Sequence, residues 1–291
     1  MTQIREYYRL AKPGIVYGNL IPAVAGFLLA SKGHVHWLTF IETLVGIALV
    51  IGAACAYNNY LDRGIDRLMT RTKQRATATG RISIKAVIIY ATILGILGFL
   101  VLVLFTNLLT VITGIIGIVG YVAVYGFAKR HSVHGTLVGS ISGAMPPVAG
   151  YTAVTDHVTL TCLCLFFMLV CWQMPHFYAI AIYREKDYRA ARLPVLPIIR
   201  GYRVTKQQML VYICGFGVFA FLIAITAKLN VVYAVVIVLL TLYWLQTGLR
   251  PPRPSYSFWA RRMFGLSLLM LLLVSLAICV SSFVFMSRLS V

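Results

Sequence analysis

Nine stretches of the chain are apolar for long enough to cross about 30 Å of hydrocarbon as helices: approximately residues 15–31, 38–58, 84–105, 108–128, 135–154, 159–182, 208–227, 229–247 and 264–286. Inside a bilayer each backbone amide needs a partner within its own segment or barrel, and runs of this length satisfy that need as helices. Over 291 residues the chain is 60% hydrophobic and 11% charged, with a mean hydropathy of +0.87, a composition that soluble domains do not show. The expectation is an all-α, nine-span membrane bundle forming a single domain over residues 1–291. All six cysteines (Cys55, Cys162, Cys164, Cys171, Cys214 and Cys279) fall inside the spans, which argues against a disulfide framework.

A net charge of +19 suggests nucleic acid until the bases are placed along the chain. Of 26 lysines and arginines, 23 fall on one side of a nine-span path: Arg5, Arg9 and Lys12, seven from Arg63 to Lys85, Lys129 and Arg130, seven from Arg184 to Lys206, and four from Arg250 to Arg262. Lys32, Lys228 and Arg288 fall on the other. Bases concentrate in cytoplasmic loops, so the N-terminus and the long loops are expected in the cytoplasm and the C-terminus in the periplasm. The first apolar run lacks a small-residue cleavage site and no Arg- and Ser-rich extension precedes it, which points to a bacterial inner membrane.

The outer connections are terse, while the cytoplasmic loops after spans two and six are long, which gathers polar chemistry on one face. Both long loops open with acids directly after an apolar helix: Asp62 and Asp66 in YNNYLDRGIDRLMTRTKQR, Glu185 and Asp187 in YREKDYRAAR. Four spans separate the two, the arrangement a duplicated four-helix unit would give. Inside the spans, SGAMPP (142–147) and WQMPH (172–176) place prolines that kink helices and free carbonyls. Gly114, Gly117 and Gly120 repeat at three-residue spacing, which suits close helix packing.

The chain holds only seven acids, and Asn58, Asp62 and Asp66 stand at i, i+4 and i+8. On one helix such side chains drift by about 40° per step and line a face over roughly 12 Å. Two carboxylates that close resist ionisation unless a cation neutralises them. Hard oxygen donors of this kind suit Mg²⁺ shared with substrate phosphates. Arg63, Arg67, Arg71, Lys73 and Arg75 then offer partners for phosphate oxygens, Lys73 on nearly the same face if the helix runs on past Gly64. The plainer alternative is that the acids pair with their basic neighbours at a solvated helix end; ionisable groups at membrane helices favour function. Glu185 and Asp187, two residues apart, cannot share a helical face, and the position four after Asp187 is Ala191, so the second motif supplies one acid.

With NxxxDxxxD at Asn58, Asp62 and Asp66 closing span two and Asp187 closing span six, the chain resembles the UbiA superfamily of intramembrane prenyltransferases, and within it the haem-farnesylating branch. The likeness runs through KPGIVYGNL at 12–20, NNYLDRGIDRLMTRTKQR at 58–75, YGFAKRHSVHGTLVGSISGAMPPVAGY at 125–151 and WQMPHFYAIAIYREKDYRAARLPVLP at 172–197. It implies a nine-helix bundle around a central cavity open toward the cytoplasmic side, with Mg²⁺ as cofactor. The implied reaction moves farnesyl from farnesyl diphosphate to a vinyl group of haem B, with addition of water, to give haem O and diphosphate for a haem-copper oxidase. Haem A synthase or a terminal oxidase subunit are the implied downstream partners, beside the lipid bilayer; nucleic acid is not one. Carried over by position, Asp62, Asp66 and Asp187 are catalytic. Asn58, Asp62 and Asp66 hold a magnesium diphosphate, and Asp187 serves a second metal position. Arg67, Lys73, Lys129, Arg130 and Lys12 grip diphosphate oxygens. Three positions depart from the pattern: Asn59 stands where many members carry Asp, Ala191 lacks the distal acid, and Arg192 replaces an expected Gly or Asn.

Two histidines are candidates for the haem. His176 in WQMPH reads either as an iron ligand or as a buried histidine bonded to a carbonyl freed by Pro175. His131, beside Lys129 and Arg130, reads as a contact to haem propionates or diphosphate. Among rival readings, a transporter calls for ionisable residues along a path through the midplane, and an electron-transfer haem protein calls for histidines paired across spans. A quinone or chlorophyll prenyltransferase of the same superfamily calls for two acids in the second motif.

Overall fold

The computed structural model describes residues 3–287, and among them every regular element is helical. Arg288 and the end of the chain, to which the outer-side charge and the periplasmic C-terminus were assigned, lie outside the described residues. Eight helices are long and apolar enough to cross a membrane: Pro13–Ser31, Trp37–Leu61, Ile84–Phe105, Leu108–His131, Leu160–Tyr183, Gly201–Thr226, Val231–Leu249 and the one beginning at Tyr256. Their outward faces are apolar. On Ile84–Phe105, for example, Ile93, Ile96, Leu100, Val103 and Leu104 are exposed, a surface that lipid covers without the penalty water would exact. The protein is a multi-span membrane protein.

The expected span at 135–154 differs from the rest. It forms two short helices, Gly135–Gly143 and Met145–Thr155, meeting at Ala144. The cause is the pair Pro146 and Pro147, which have no N–H to continue the ladder and fit instead the first turn of a new helix. Gln173 spans this break from the neighbouring helix: its Nε2 donates to the Ser140 carbonyl at 3.0 Å. The second short helix presses against Pro13–Ser31. A Cβ on Gly26 would overlap the Pro147 carbonyl oxygen, and one on Gly150 the Ala23 carbonyl oxygen, so two glycines set this backbone-to-backbone approach.

Leu160–Tyr183 forms the centre of the bundle, burying Leu165, Met168, Leu169 and Met174 against Met209, Ile213, Phe216, Met263 and Met270. Cys162 and Cys164 lie in the same core as packing residues. Each acid-bearing loop begins the same way. Trp37–Leu61 stops at Asp62 and is followed by a six-residue helix, Arg63–Leu68; Leu160–Tyr183 stops at Arg184 and is followed by a six-residue helix, Glu185–Ala190. The Leu108–His131 helix widens to π-helical geometry over Gly120–Tyr125, the kind of local irregularity that re-aims side chains at functional positions.

Candidate active site

Asp62 is the hinge between two helices rather than a point on one, and Gly64 sits inside the second. The step is small, since the Asp66 N–H still reaches the Asp62 carbonyl at 2.8 Å, and Asn58, Asp62 and Asp66 all remain buried. Buried carboxylates need cations; those on Asp62 come from a distant helix and the one on Asp66 from its own loop. Lys129 Nζ, on the Leu108–His131 helix, donates to Asn58 Oδ1 at 2.9 Å and to Asp62 Oδ2 at 2.5 Å. Arg130 Nη2 reaches Asp62 Oδ1 at 3.2 Å and the Leu61 carbonyl at 2.7 Å. Arg75 Nη1 bonds both oxygens of Asp66, at 2.9 and 2.8 Å. Asp187 Oδ1 accepts the Thr70 N–H at 2.9 Å, which ties the second acidic motif to the loop of the first.

The local pairing expected of a solvated helix end holds for Glu185, which bonds Arg189 one turn on, and within the first loop for Asp66, which bonds Arg75; Asp62 is paired from a distant helix instead. Arg63 turns to the Tyr60 carbonyl and Arg67 to the Ala78 carbonyl, so neither meets the acids. Arg67 and Lys73 are exposed, Lys73 because the helix ends at Leu68 and leaves it in the following turns. Lys129 and Arg130 are therefore brought to the acids, whereas Arg67 and Lys73 are not. Lys12 sits between the Gln3–Leu10 and Pro13–Ser31 helices with a left-handed φ of 50°. Burial lowers its ammonium to about pKa 8, with Arg75 pushing the same way and Cys55, Asp62 and Asp66 opposing.

Asn59 is no oxygen donor to this cluster. Its Nδ2 donates to the Leu10 carbonyl at 2.8 Å, fastening the N-terminal helix to the end of span two, while its Oδ1 is buried without a partner. Arg192 has φ 53°, the left-handed conformation that Gly or Asn adopts most readily, which explains why a small residue is expected there.

A cavity of about 380 Å³ opens beside these groups, with Lys129 on its wall. Tyr121 and Tyr125, stacked at 5.6 Å on the π-helical segment, line it, and Lys129 Nζ stands 5.1 Å from the Tyr125 ring centre. The sequence signal for this wall is a second i, i+4, i+8 series, Tyr121, Tyr125 and Lys129, which the search for acids passes over. Gly114 and Gly117 also line the cavity, so the glycine repeat makes room for a ligand as well as for packing. On the far wall are Trp172, Gln173 and His176.

His176 does not bond a carbonyl freed by Pro175. Its Nδ1 lies 2.8 Å from Ser267 Oγ, and that hydroxyl donates to the Phe264 carbonyl at 2.6 Å. The serine proton being committed, His176 Nδ1 is the donor in the pair and its Nε2 keeps a free lone pair. The ring is stacked on Trp172 at 4.8 Å. His131 is exposed: its Nδ1 bonds the Phe127 carbonyl and its ring stacks on Phe127, away from the cavity lining. Among the described residues no three His, Cys, Asp or Glu side chains form a metal-binding group by themselves, so a metal here would need oxygens from a ligand.

Residues 19–269 match the UbiA prenyltransferase family. The chain is 44% identical over 278 residues to a protoheme IX farnesyltransferase from Citrobacter koseri, covering 95% of this chain and 94% of that protein. It is 44% identical over 267 residues to one from Cronobacter sakazakii, covering 91% and 90%. Among solved structures it resembles a digeranylgeranylglyceryl phosphate synthase at TM-score 0.79 and 18% identity, covering 97% of this chain and 99% of that one. It also resembles a UbiA homologue from Archaeoglobus fulgidus bound to GPP and Mg²⁺, at TM-score 0.71 and 17% identity, covering 94% and 99%.

Proposed function

The chain belongs to the UbiA prenyltransferase family, and on that premise we propose that it transfers farnesyl from farnesyl diphosphate to a vinyl group of haem B, with water completing the addition to give haem O. The observation that carries this reading is Lys129, one residue that both bridges Asn58 and Asp62 and walls the cavity, so that a diphosphate at the acids would leave its prenyl chain in the apolar space. The relatives at 44% identity, named for this reaction, supply the acceptor.

The donor set fits Mg²⁺. Oxygens of Asn58 and Asp62 already converge on one cationic nitrogen, and the ion would supply charge neutralisation for the departing diphosphate. Lys129, Arg130, Arg75 and Lys12 then bear on diphosphate oxygens as the C1–O bond breaks, with Asp187 holding the Thr70 loop beneath them. The faces of Tyr121 and Tyr125, beside Lys129 on the cavity wall, offer electron-rich surfaces to an allylic cation. The vinyl π bond attacks farnesyl C1 without loss of a proton, and the cation left on the vinyl carbon takes hydroxide from water, which releases one proton. His176 Nε2 is the one basic lone pair identified on the far wall, and we assign it to the haem iron.

The distribution of bases supports an inner-membrane protein whose acids face the cytoplasm. The repeated step from a long helix to a six-residue helix at Asp62 and Arg184 supports one domain built on a duplicated four-helix unit. Haem O would pass to a haem A synthase or a terminal oxidase subunit.

The test is purified protein in detergent with haem B, farnesyl diphosphate and Mg²⁺, extraction of the haem and its mass with and without EDTA, beside Asp62→Ala. The expected product is heavier by farnesyl plus water, depends on metal and is absent in the variant. Haem returned unchanged while diphosphate is released would mean another acceptor.

A further inference from the structure

Resting on haem B as the acceptor, we propose that Arg184 and Arg261 form the seat for its two propionate carboxylates, apart from the diphosphate site. The two guanidiniums lie against one ring: Arg184 Cζ is 5.4 Å and Arg261 Cζ 5.2 Å from the centre of Tyr183. Neither has a carboxylate partner among the described residues, whereas Arg75, Lys129 and Arg130 each hold one of the acids. The Nε of Arg184 is buried with no hydrogen-bond acceptor at all. A buried donor of this kind costs stability unless a ligand completes it.

The pair is connected to the far wall of the cavity. Tyr183 packs on Phe264 at 5.7 Å, and Phe264 on His176 at 4.9 Å. His176 and Tyr183 are seven residues apart on one continuous helix, so they share a face and stand about 10 Å apart along the axis. That separation is comparable with the reach from the iron of a haem to its carboxylates. The Arg184 carbonyl accepts the Tyr188 N–H at 3.3 Å, and Tyr188 lines the cavity. A porphyrin whose iron meets His176 would thus extend its acidic edge toward Arg184 and Arg261 and its vinyl edge toward Lys129. Two forks with five N–H donors each match two carboxylates better than one.

The experiment titrates haem B and its dimethyl ester, which lacks both carboxylates, into the detergent-purified protein and follows the Soret band. It compares wild type with Arg184→Gln, Arg261→Gln and the double variant. Wild type is expected to bind the acid about tenfold or more tightly than the ester. The double variant loses that preference and raises KM for haem by a similar factor, while kcat stays within a few-fold and affinity for farnesyl diphosphate is unchanged. Retained farnesyl diphosphate binding also reports that the variants fold. Equal binding of acid and ester by wild type, or an undiminished preference in the double variant, overturns the seat; the arginines would then serve a lipid phosphate or the fold. Failure of wild type to bind either haem overturns the haem acceptor itself, and the seat with it.

Discussion

Removing Arg75 and Asp66 separately and together separates the structural from the chemical role of the acid cluster. Asp66 is 1% exposed and both its oxygens are held by Arg75, whose side chain is 30% exposed. Arg75→Met therefore strands a buried carboxylate, at a cost of about 3 kcal/mol, the low end of the range for a broken buried pair because the guanidinium is partly hydrated already. Asp66→Asn leaves a guanidinium that can turn to water, and should cost about 1.5 kcal/mol. The double variant removes both charges and should cost about 2 kcal/mol, so the two single costs overlap by about 2.5 kcal/mol. In thermal unfolding in detergent, Arg75→Met is expected to lower Tm by roughly 6–12 °C, and Mg²⁺ to restore part of that loss. The double variant keeps a higher Tm than Arg75→Met yet transfers no farnesyl, because the carboxylate charge that would hold the metal is gone. Additive Tm changes would show that the pair is not the coupled unit described here. Activity in the double variant would remove Asp66 from the chemistry.

Two further outcomes follow from the loop around residue 12. Lys12, lowered to about pKa 8, carries its charge below that pH and loses it above; kcat/KM for farnesyl diphosphate, which reports the free enzyme, is expected to fall as pH rises through about 8, and in Lys12→Met to start lower and stay flat across the same range. Asn59→Asp removes the donor to the Leu10 carbonyl and adds a buried carboxylate without a cation, so a loss of about 2–3 kcal/mol is expected by thermal unfolding, larger at pH 8 than at pH 5, where the acid can be neutral.

The spans were legible because hydrocarbon thickness fixes a minimum apolar length, and the eight long helices match the expected stretches to within a few residues at most ends, with the start of Gly201–Thr226 and of the last helix earlier in charged sequence. The break at Ala144 was visible as a proline pair, but only its degree, a full stop with a new helix start, required coordinates. Whether the helix runs on past Gly64 was open in the sequence; the interruption occurs at Asp62, since a glycine signals permission to turn and not the place of turning. Partners reached through the 69–75 turns were out of range of periodicity: Arg75 folds back on Asp66, while Arg67, closer in sequence, points to Ala78. The anomaly at Arg192 had a backbone cause, a left-handed φ, and the anomaly at Asn59 a hydrogen-bond cause, a carbonyl that an aspartate could not serve.

A bilayer cannot solvate a buried acid, so each carboxylate of the site must hold a donor even with no substrate present. Asp62 takes Lys129 and Arg130, Asp66 takes Arg75, and Asp187 takes a backbone N–H. On the proposed reading these cations are the ones that a diphosphate at the same acids would require, and they are already aimed, Lys129 with most of its surface out of water. Binding then exchanges partners within a closed set of charges instead of drawing bases in from water, which keeps the reorganisation small where the C–O bond breaks. The same reasoning marks Arg184 as different. Its guanidinium has no acid to exchange, so it is prepared for an anion that the diphosphate chemistry does not bring.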